Sequence, residues 1–256
     1  MARDGSELWD RRQFLAELRA VGRDRYHDRH PFHRRMNGGL LTRDQLRGWA
    51  ANRFYYQRCI PMKDAAILSN CPLPEVRRVW RQRLIDHDGQ GDGEGGLEAW
   101  LRLGEGVGLS REEILDGRHV LPGVRFAVDA YVQFARTQPW PLAVASSLTE
   151  LFAPDLMAER LAAFERYYSW VPENSLDYFR ARLNRARRDS DHALELTLTY
   201  CRTAELQRGA VAALAFKCDV LWTMLDHLQW AYVETDGQPT ALPRGDERAT
   251  TAEARP

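Results

Sequence analysis

The sequence has little lysine and few cysteines, and its opposite charges cancel. Its 256 residues include 36 Lys+Arg and 36 Asp+Glu, so the formal net charge is zero. This leaves no global positive field to hold nucleic acid or an anionic membrane. The four cysteines form no C-x-x-C pair and lie in apolar surroundings. We therefore expect buried free thiols in a reducing compartment.

Long apolar runs are also missing. The longest near-apolar stretch, 209–225, is interrupted by Lys217 and Asp219, so it does not read as a membrane span. The first twelve residues are too polar for a signal peptide. A composition of 44% hydrophobic and 28% charged residues excludes wholesale disorder. These features predict a soluble, cytoplasmic protein with no nucleic-acid or membrane partner.

Alternation with a period of two residues is absent, which argues against β-strands. Apolar residues instead recur at spacings of three and four, as in amphipathic helices. Two capping boxes mark helix starts, Thr42 with Gln45 and Ser110 with Glu113. The first opens a helix that we expect to run to about residue 70, with a kink at Pro61.

The predicted organisation is one all-α helical-bundle domain over 1–234, followed by a disordered tail over 235–256. The tail is rich in Pro, Gly and charged residues, which favours disorder. The predicted helices cover 8–21, 43–70, 74–88, 95–107, 124–137, 141–152 and 155–168, and then two long antiparallel helices, from about 175 onward, broken near Gly209.

The scarcity of lysine makes two positions conspicuous. Of the 36 basic residues 34 are Arg, and only Lys63 and Lys217 are Lys, both in apolar text. One interpretation is chance, with an aliphatic stem that buries itself while the charge reaches water. The other is that both places need a compact ammonium, for which Arg is no substitute at a desolvated site.

One face of the predicted helix over 43–70 mixes cations with apolar and aromatic groups. At offsets of three and four it carries Arg53, Tyr56, Gln57, Ile60, Lys63 and Asp64. This mixture is unusual for a solvated face and for a core face. It is typical of a pocket wall that receives an anionic, partly apolar ligand. The alternative is a buried salt-bridge network that involves Asp64.

Two further pairs lie four residues apart, Arg83 with His87 and Tyr178 with Arg182. His87 falls at the end of its predicted helix, where the helix dipole favours a protonated imidazole. Each pair alone is typical of a surface pair. Together they suggest more, because several predicted helices each carry a cation or His among apolar residues. Burial of so many charges is costly unless an anion or a carboxylate pairs with them.

The glycine-rich stretch 89–96 follows a predicted helix and contains acids, which argues against a phosphate cradle and favours a flexible helix connection. Two clusters resemble metal ligands: Asp189 with His192, and the three histidines His27, His30 and His33. Neither comes with the carboxylate-rich helical set of a di-iron bundle, and no cysteine cluster is present. We therefore expect no metal.

Longer motifs resemble a known family. The segments are NRFYYQ…IPMKDAAI, RLIDHDG, GGLEAWLRLGE, HVLPGVRFAVDAYVQFA, SSLTELFAP and FKCDVLWTMLD. Together they are similar to the pyrroloquinoline-quinone synthase family over about 14–232. The resemblance implies an all-α, heme-oxygenase-like fold and a homodimer.

The resemblance also implies an activity. The family catalyses the last step in the formation of pyrroloquinoline quinone (PQQ). A bicyclic quinone precursor undergoes ring closure and eight-electron oxidation by O2, which yields PQQ and H2O2, with no metal or organic cofactor. The small-molecule partners are thus the precursor, PQQ and O2. Because PQQ carries three carboxylates on a planar ring system, cations and aromatic side chains suit its binding.

Family site residues can be carried over by motif. The implied catalytic residues are His87, Tyr178, Arg182 and Lys217. The implied substrate-binding residues are His27, Arg53, Tyr56, Gln57, Lys63, Arg83, Tyr131, Thr149, Glu150 and Arg160. The resemblance implies that His87 acts as acid or base, that Arg182 stabilises a reduced-oxygen anion, and that Lys217 binds carboxylates.

One position departs from the family. Where the family has a His seven residues after Glu150, this sequence has Met157. This keeps open a second function, a non-catalytic protein that holds or delivers the quinone. A third is a di-metal oxidase of the same fold, since Asp189 and His192 match part of its ligand pattern. Trp80 and Arg185 stand where that branch would need ligands, which disfavours it.

Overall fold

The computed structural model describes residues 7–235, apart from the side chains of 184–187, and it contains helices and no strand within that range. The predicted all-α class is confirmed. The α-helices are α1 (Arg11–Arg25), α2 (Pro31–Asn37), α3 (Arg43–Asn70), α4 (Pro74–Trp80), α5 (Gln82–Asp88), α6 (Gly95–Gly106), α7 (Arg111–Asp116), α8 (Pro122–Thr137), α9 (Trp140–Ala145), α10 (Ala153–Tyr167), α11 (Asp177–Tyr200) and α12 (Ala204–Gln229). Short 3-10 turns span His27–Arg29, Ser146–Phe152 and Glu173–Leu176, and a π turn spans Trp230–Glu234.

Both predicted capping boxes form. The Thr42 side chain accepts from the backbone N–H of Gln45, and the Gln45 side chain accepts from the N–H of Thr42. Ser110 caps α7 in the same way. α3 then continues for 28 residues through Pro61 to Asn70, as its start signal and periodicity predict.

Several predicted boundaries differ from the structure, and the helix expected over 8–21 spans Arg11–Arg25. The break expected near Gly209 is wrong: α11 ends at Tyr200, and the Thr203 side chain caps α12. Gly209 lies inside α12, where a Cβ would stand 3.1 Å from the methyl groups of Leu142, so the glycine permits close packing. The helix expected over 74–88 is divided at Arg81, and the one over 141–152 becomes α9 and a 3-10 turn.

The bundle is arranged around its longest helices. α3 packs against α8, α6 and α5, and α12 packs against α8, α1 and α9. α11 lies against α10 and α9. Large aromatic side chains, among them Trp49, Trp100 and Phe179, fill the core between α3, α6 and α11. This arrangement turns the middle of α3, α8, α11 and α12 toward one interior space.

The four cysteines are free and buried, as expected. Burial raises the pKa of the Cys201 and Cys218 thiols to about 12, so both are protonated and poor nucleophiles at neutral pH. No helix in 7–235 is long and apolar enough to cross a membrane. The tail predicted over 235–256 lies outside the described residues from 236 onward.

Candidate active site

A partly open cavity of about 640 Å³, including its opening to solvent, lies between α3, α5, α8, α11, α12 and the Ser146–Phe152 turn. Twelve of the fourteen residues carried over by motif line it. They are His27, Arg53, Tyr56, Gln57, Lys63, His87, Tyr131, Thr149, Glu150, Tyr178, Arg182 and Lys217. Residues far apart in sequence therefore converge, while the roles assigned to them stay predictions.

Arg83 and Arg160 do not line the cavity but lie directly behind its wall. Arg83 is buried and reaches Glu150 at 2.7 Å. Arg160 is buried on the opposite flank, where its Nη2 donates to His33 Nε2 at 2.9 Å. Both contact wall residues or their supports, so their effect on a ligand would act through neighbours and through charge.

The polar face of α3 satisfies both interpretations of its pattern. Arg53, Tyr56, Gln57, Ile60 and Lys63 line the cavity, as a pocket wall requires. Asp64 is fully buried behind them and forms an ion pair with Lys63, with 2.5 Å between Nζ and Oδ1. The helix is thus a pocket wall with a buried ion pair beneath it.

Three cations of the site are paired with carboxylates, and we call Lys63, Arg83 and Arg182 the paired set. Besides Asp64, the Lys63 ammonium donates to Ser147 Oγ at 3.0 Å, and Trp80 Nε1 donates to the same Asp64 oxygen at 3.0 Å. These contacts fix Lys63 before any ligand arrives.

Glu150 joins the other two members of the paired set. Its carboxylate lies 2.7 Å from Arg83 and 3.5 Å from Arg182, and Arg182 also lies 3.6 Å from Asp189. Burial works to raise the pKa of Glu150, but the two guanidinium groups prevail and lower it to about 2. Glu150 is therefore ionised throughout the physiological range and neutralises positive charge at this end of the cavity.

Arg53, Arg160 and Lys217 form a contrasting unpaired set, since within 7–235 none has an ion pair with a carboxylate. The Lys217 ammonium is 1% exposed, donates to the Tyr56 hydroxyl at 2.8 Å and lies 3.6 Å from the centre of the Tyr131 ring. Arg53 lies 4.1 Å over the Tyr56 ring.

The pKa values of Lys217 and Arg160 reflect this lack of carboxylate partners. Burial, then the positive charges of Arg53 and Lys63, lower the pKa of Lys217 well below its ordinary value. Burial and Arg53 lower the pKa of Arg160 to about 10. Repulsion among these cations is relieved when an anion enters.

Two neutral histidines support the unpaired set. His33 Nδ1 lies 3.0 Å from the His27 carbonyl, which can only accept, so Nδ1 carries the proton and Nε2 accepts from Arg160. Burial, with help from Arg53 and Arg160, lowers the pKa of both histidines well below the ordinary value. His27 thus presents a neutral ring to the cavity.

His87 is also neutral, which corrects the expectation of a protonated imidazole. Its Nδ1 donates to the Arg83 carbonyl at 3.0 Å, which leaves Nε2 with a free lone pair. Burial and then the Arg182 charge lower its pKa. The favourable effect of the helix end is smaller than the cost of burying a cation beside Arg182. A neutral imidazole can take up a proton.

The cavity wall includes residues that the sequence did not single out. Tyr26, Ser147 and Ala153 line it. Ser147 stands within the SSLTELFAP motif, which was a usable signal, whereas Tyr26 offered only its place beside His27. Met157 also lines the cavity, so the family His would face the ligand at this position.

Asp189 and His192, which match part of a metal-ligand pattern, contact other protein groups in the structure. Asp189 contacts Arg182 at 3.6 Å and Arg188 at 2.8 Å, so its carboxylate is already engaged by cations. His192 lies beside the Trp80 ring. In the part of the chain that the structure describes, no group of three or more His, Cys, Asp or Glu residues is placed to hold a metal ion. This donor set does not fit a di-metal centre.

A helical bundle around a partly open, cation-rich and aromatic cavity defines a class: its site has the chemistry that suits a polyanionic, partly apolar small molecule. The chain belongs to the TENA/THI-4/PQQC family, whose family model matches residues 15–227. The resemblance inferred from its motifs is thereby confirmed.

Individual relatives agree with the family. The chain is 58% identical to the pyrroloquinoline-quinone synthase of Cronobacter sakazakii, over 86% of this chain and 87% of that one. It is 54% identical to the pyrroloquinoline-quinone synthase of Acinetobacter baylyi, over 88% of each chain. Its fold resembles a domain of unknown function with a heme oxygenase-like fold from Shewanella denitrificans, with a TM-score of 0.69, 14% identity and coverage of 88% of this chain and 93% of that one.

Proposed function

We propose that this chain is the oxidase of the last step of PQQ formation. It closes a ring in a bicyclic quinone precursor and passes eight electrons to O2, with PQQ and H2O2 as products. The observation that carries the proposal is the unpaired set beside Tyr56 and Tyr131: buried cations without carboxylates, next to aromatic rings. Relatives more than half identical to this chain are named for that reaction.

Binding follows from the charges. Arg53, Arg160 and Lys217 have no carboxylate partner in the protein, and the precursor's carboxylates supply the negative charge that neutralises them. The planar rings of the precursor pack against Tyr56 and Tyr131. A hydrogen bond to a charged group contributes about 1.5–3 kcal/mol. Arg53 and Lys217 are held by contacts with tyrosine rings, so their side chains lose little conformational freedom when a ligand binds.

Proton transfer is assigned to His87. Its lone pair at Nε2 accepts a proton from a ring carbon or nitrogen of the bound precursor, and the nearby cations stabilise the anion that remains. An electron-rich carbanion of this kind can give its electrons to O2 without a metal. In the proposed mechanism the substrate itself is therefore the reductant, and no metal or organic cofactor takes part.

Reduced oxygen is assigned to the end of the cavity that carries Tyr178 and Arg182. These side chains are one turn apart on α11 and both line the cavity. A hydroxyl and a guanidinium can donate hydrogen bonds to a peroxide anion. Glu150 and Asp189 hold the Arg182 guanidinium in place, so it is oriented before oxygen is reduced.

We also propose a cytoplasmic homodimer, as the family resemblance implies. The large side chain of Phe126 on α8 is 83% exposed, and Met62 on α3 is about half exposed beside the same groove. Exposed apolar side chains that share one groove, as these two do, suit a protein interface. Phe126→Glu should shift the molecular mass measured by light scattering from dimer to monomer; an unchanged mass would place the interface elsewhere.

The decisive experiment uses purified protein stripped with a strong chelator. Anaerobic incubation with precursor should give a spectrally distinct bound species, and admission of air should then consume O2 and release H2O2 and PQQ. Activity that disappears with the chelator and returns with iron or manganese would favour a di-metal oxidase. Tight quinone binding without O2 uptake would favour a delivery protein, the alternative that Met157 keeps open.

A further inference from the structure

The unpaired set poses an energetic problem for the protein without substrate. Arg160 and Lys217 are buried, Arg53 is half-buried, and within 7–235 no carboxylate pairs with any of them. Uncompensated buried charge is costly. The paired set has no such problem, because Asp64, Glu150 and Asp189 neutralise it.

Two buried polar atoms in the same region also lack partners. Nδ1 of His27 and Nε of Arg160 make no hydrogen bond, although both side chains are at most 3% exposed. His27 lines the cavity, while Arg160 stands behind it and reaches the wall through His33. Buried donors and acceptors without partners are rare in folded proteins, so these atoms are expected to meet ordered water or a ligand; one oxygen each of Asp64 and Glu150 likewise makes no hydrogen bond.

We propose that the wall formed by Arg53, Tyr56 and Lys217 binds an inorganic oxyanion of the phosphate type when the organic substrate is absent. Several N–H and O–H donors converge there, and a tetrahedral oxyanion offers several acceptor oxygens, whereas chloride offers a single compact charge. The planar guanidinium of Arg53 suits two-point contact with such an oxyanion. Arg160 contributes positive charge from behind the wall.

The position of the acids favours this wall over the rest of the cavity. Glu150 is ionised and already offsets the positive charge of Arg83 and Arg182 at its end of the cavity, so less positive charge is left there for a resting small anion. An anion beside Lys217 instead meets the hydroxyl of Tyr56 and the ring of Tyr131. Two regions of one cavity thus differ in their preference for a small anion.

The oxyanion would compete with the substrate. This part of the inference rests on the proposed function, because it assigns the same wall to the precursor's carboxylates. Phosphate should then raise the KM for precursor without changing kcat. Exchange of one anion for another would keep part of the positive charge of the unpaired set compensated throughout the catalytic cycle.

Binding of inorganic phosphate to the full-length protein tests the proposal without any precursor. Calorimetric titration in a buffer free of oxyanions should show a single phosphate site, and phosphate should raise the melting temperature more than sodium chloride at equal ionic strength. Arg53→Gln should weaken phosphate binding by about tenfold or more. Arg47→Gln is the matched control: it removes a cation from the same helix, outside this cavity, and should leave binding within about threefold of wild type.

Two results would overturn the proposal: phosphate that stabilises the protein no more than chloride, or equal phosphate affinity in the Arg53→Gln and wild-type proteins. If Lys217→Gln also folds, it should repeat the Arg53 result. If phosphate binds but does not raise the KM for precursor, phosphate and the precursor's carboxylates do not share this wall, and that part of the inference is wrong. A protein that binds phosphate and yet never consumes O2 with precursor would refute the proposed function alone, so the two failures are distinguishable.

Discussion

The paired and unpaired sets of cations line or support one cavity and yet differ in how their charge is neutralised. Lys63, Arg83 and Arg182 each contact a carboxylate supplied by the fold. Arg53, Arg160 and Lys217 contact tyrosine rings, a hydroxyl or a histidine instead. The paired cations are part of the folded structure, whereas Arg53 and Lys217 line the cavity and are available to a ligand that brings negative charge, and Arg160 adds positive charge from behind the wall.

This difference divides the chemistry. Arg182, held by Glu150 and Asp189, lies with Tyr178 and the neutral His87 where the proposal has proton transfer and oxygen reduction take place. Arg53 and Lys217 lie with Tyr56, where carboxylates and rings are expected to bind. Removing members of the two sets should therefore have different, and partly opposite, consequences.

The largest effect is expected from Asp64→Asn. Asp64 is fully buried, and its replacement by a neutral amide leaves the buried Lys63 ammonium without a carboxylate partner. Removing one partner of a buried ion pair costs about 3–5 kcal/mol, so the free energy of unfolding should fall by about that amount. Urea denaturation measures it, and a loss below about 1 kcal/mol would show that the pair is not a structural element.

A smaller loss is expected in ligand affinity from Arg53→Ala. An unpaired cation that binds a carboxylate should contribute about 1.5–3 kcal/mol, which is about tenfold to 150-fold in the Kd for PQQ. Arg47→Ala, on the same helix but outside the cavity, serves as the control. Equal Kd values for the two variants would remove Arg53 from the ligand site.

The histidines next to the unpaired set should make stability depend on pH. In the folded state the pKa values of His27 and His33 are lowered, so these rings stay neutral while unfolded histidines protonate below about pH 6.5. The unfolded state then binds more protons, so stability present above pH 6.5 is lost as pH falls.

The slope should be about 1.4 kcal/mol per pH unit for each such histidine, between about pH 6 and 5. Urea melts at a series of pH values give this slope. His33→Asn, if it folds, should flatten the dependence. A free energy of unfolding that is constant from pH 7 to 5 would mean that these rings are not held neutral.

The smallest effect should have the opposite sign. Lys217→Met removes a buried, unpaired ammonium and keeps most of the side-chain volume, so the ligand-free protein should gain about 1 kcal/mol of stability. Thermal and urea unfolding of the variant measure the gain. A destabilisation as large as that of Asp64→Asn would show that the unpaired set is as integral to the fold as the paired one.

The sequence predicted the helices better than the charge pairing. The face of α3 and the Thr42 and Ser110 caps were predictable from the sequence, because they depend only on residues three or four positions apart. Local spacing could not predict that Arg83 and Arg182 share Glu150, because this contact joins α5, α11 and the Ser146–Phe152 turn, which are far apart in sequence. Gly209 misled for the same reason, since its role is the close approach of Leu142 from another helix.

The state of His87 was also beyond local reasoning. The helix end is visible in the sequence, but burial and the nearness of Arg182 are tertiary facts, and they determine that the imidazole is neutral. The resemblance to the family supplied part of this tertiary information, since most of the residues that it indicated line one cavity. Met157 shows the limit of such carry-over, because the cavity wall here has a thioether where the family has a His.

The division of labour between the two sets is tested most directly by loading precursor without air and then admitting O2. Arg53→Ala should bind the precursor about tenfold to 150-fold more weakly, yet oxidise what it binds at close to the wild-type rate. Arg182→Ala should bind nearly as tightly as wild type and then stall, with a long-lived intermediate and little H2O2 release. Two variants that lose affinity equally, and that both complete oxidation at the wild-type rate once saturated, would contradict the account.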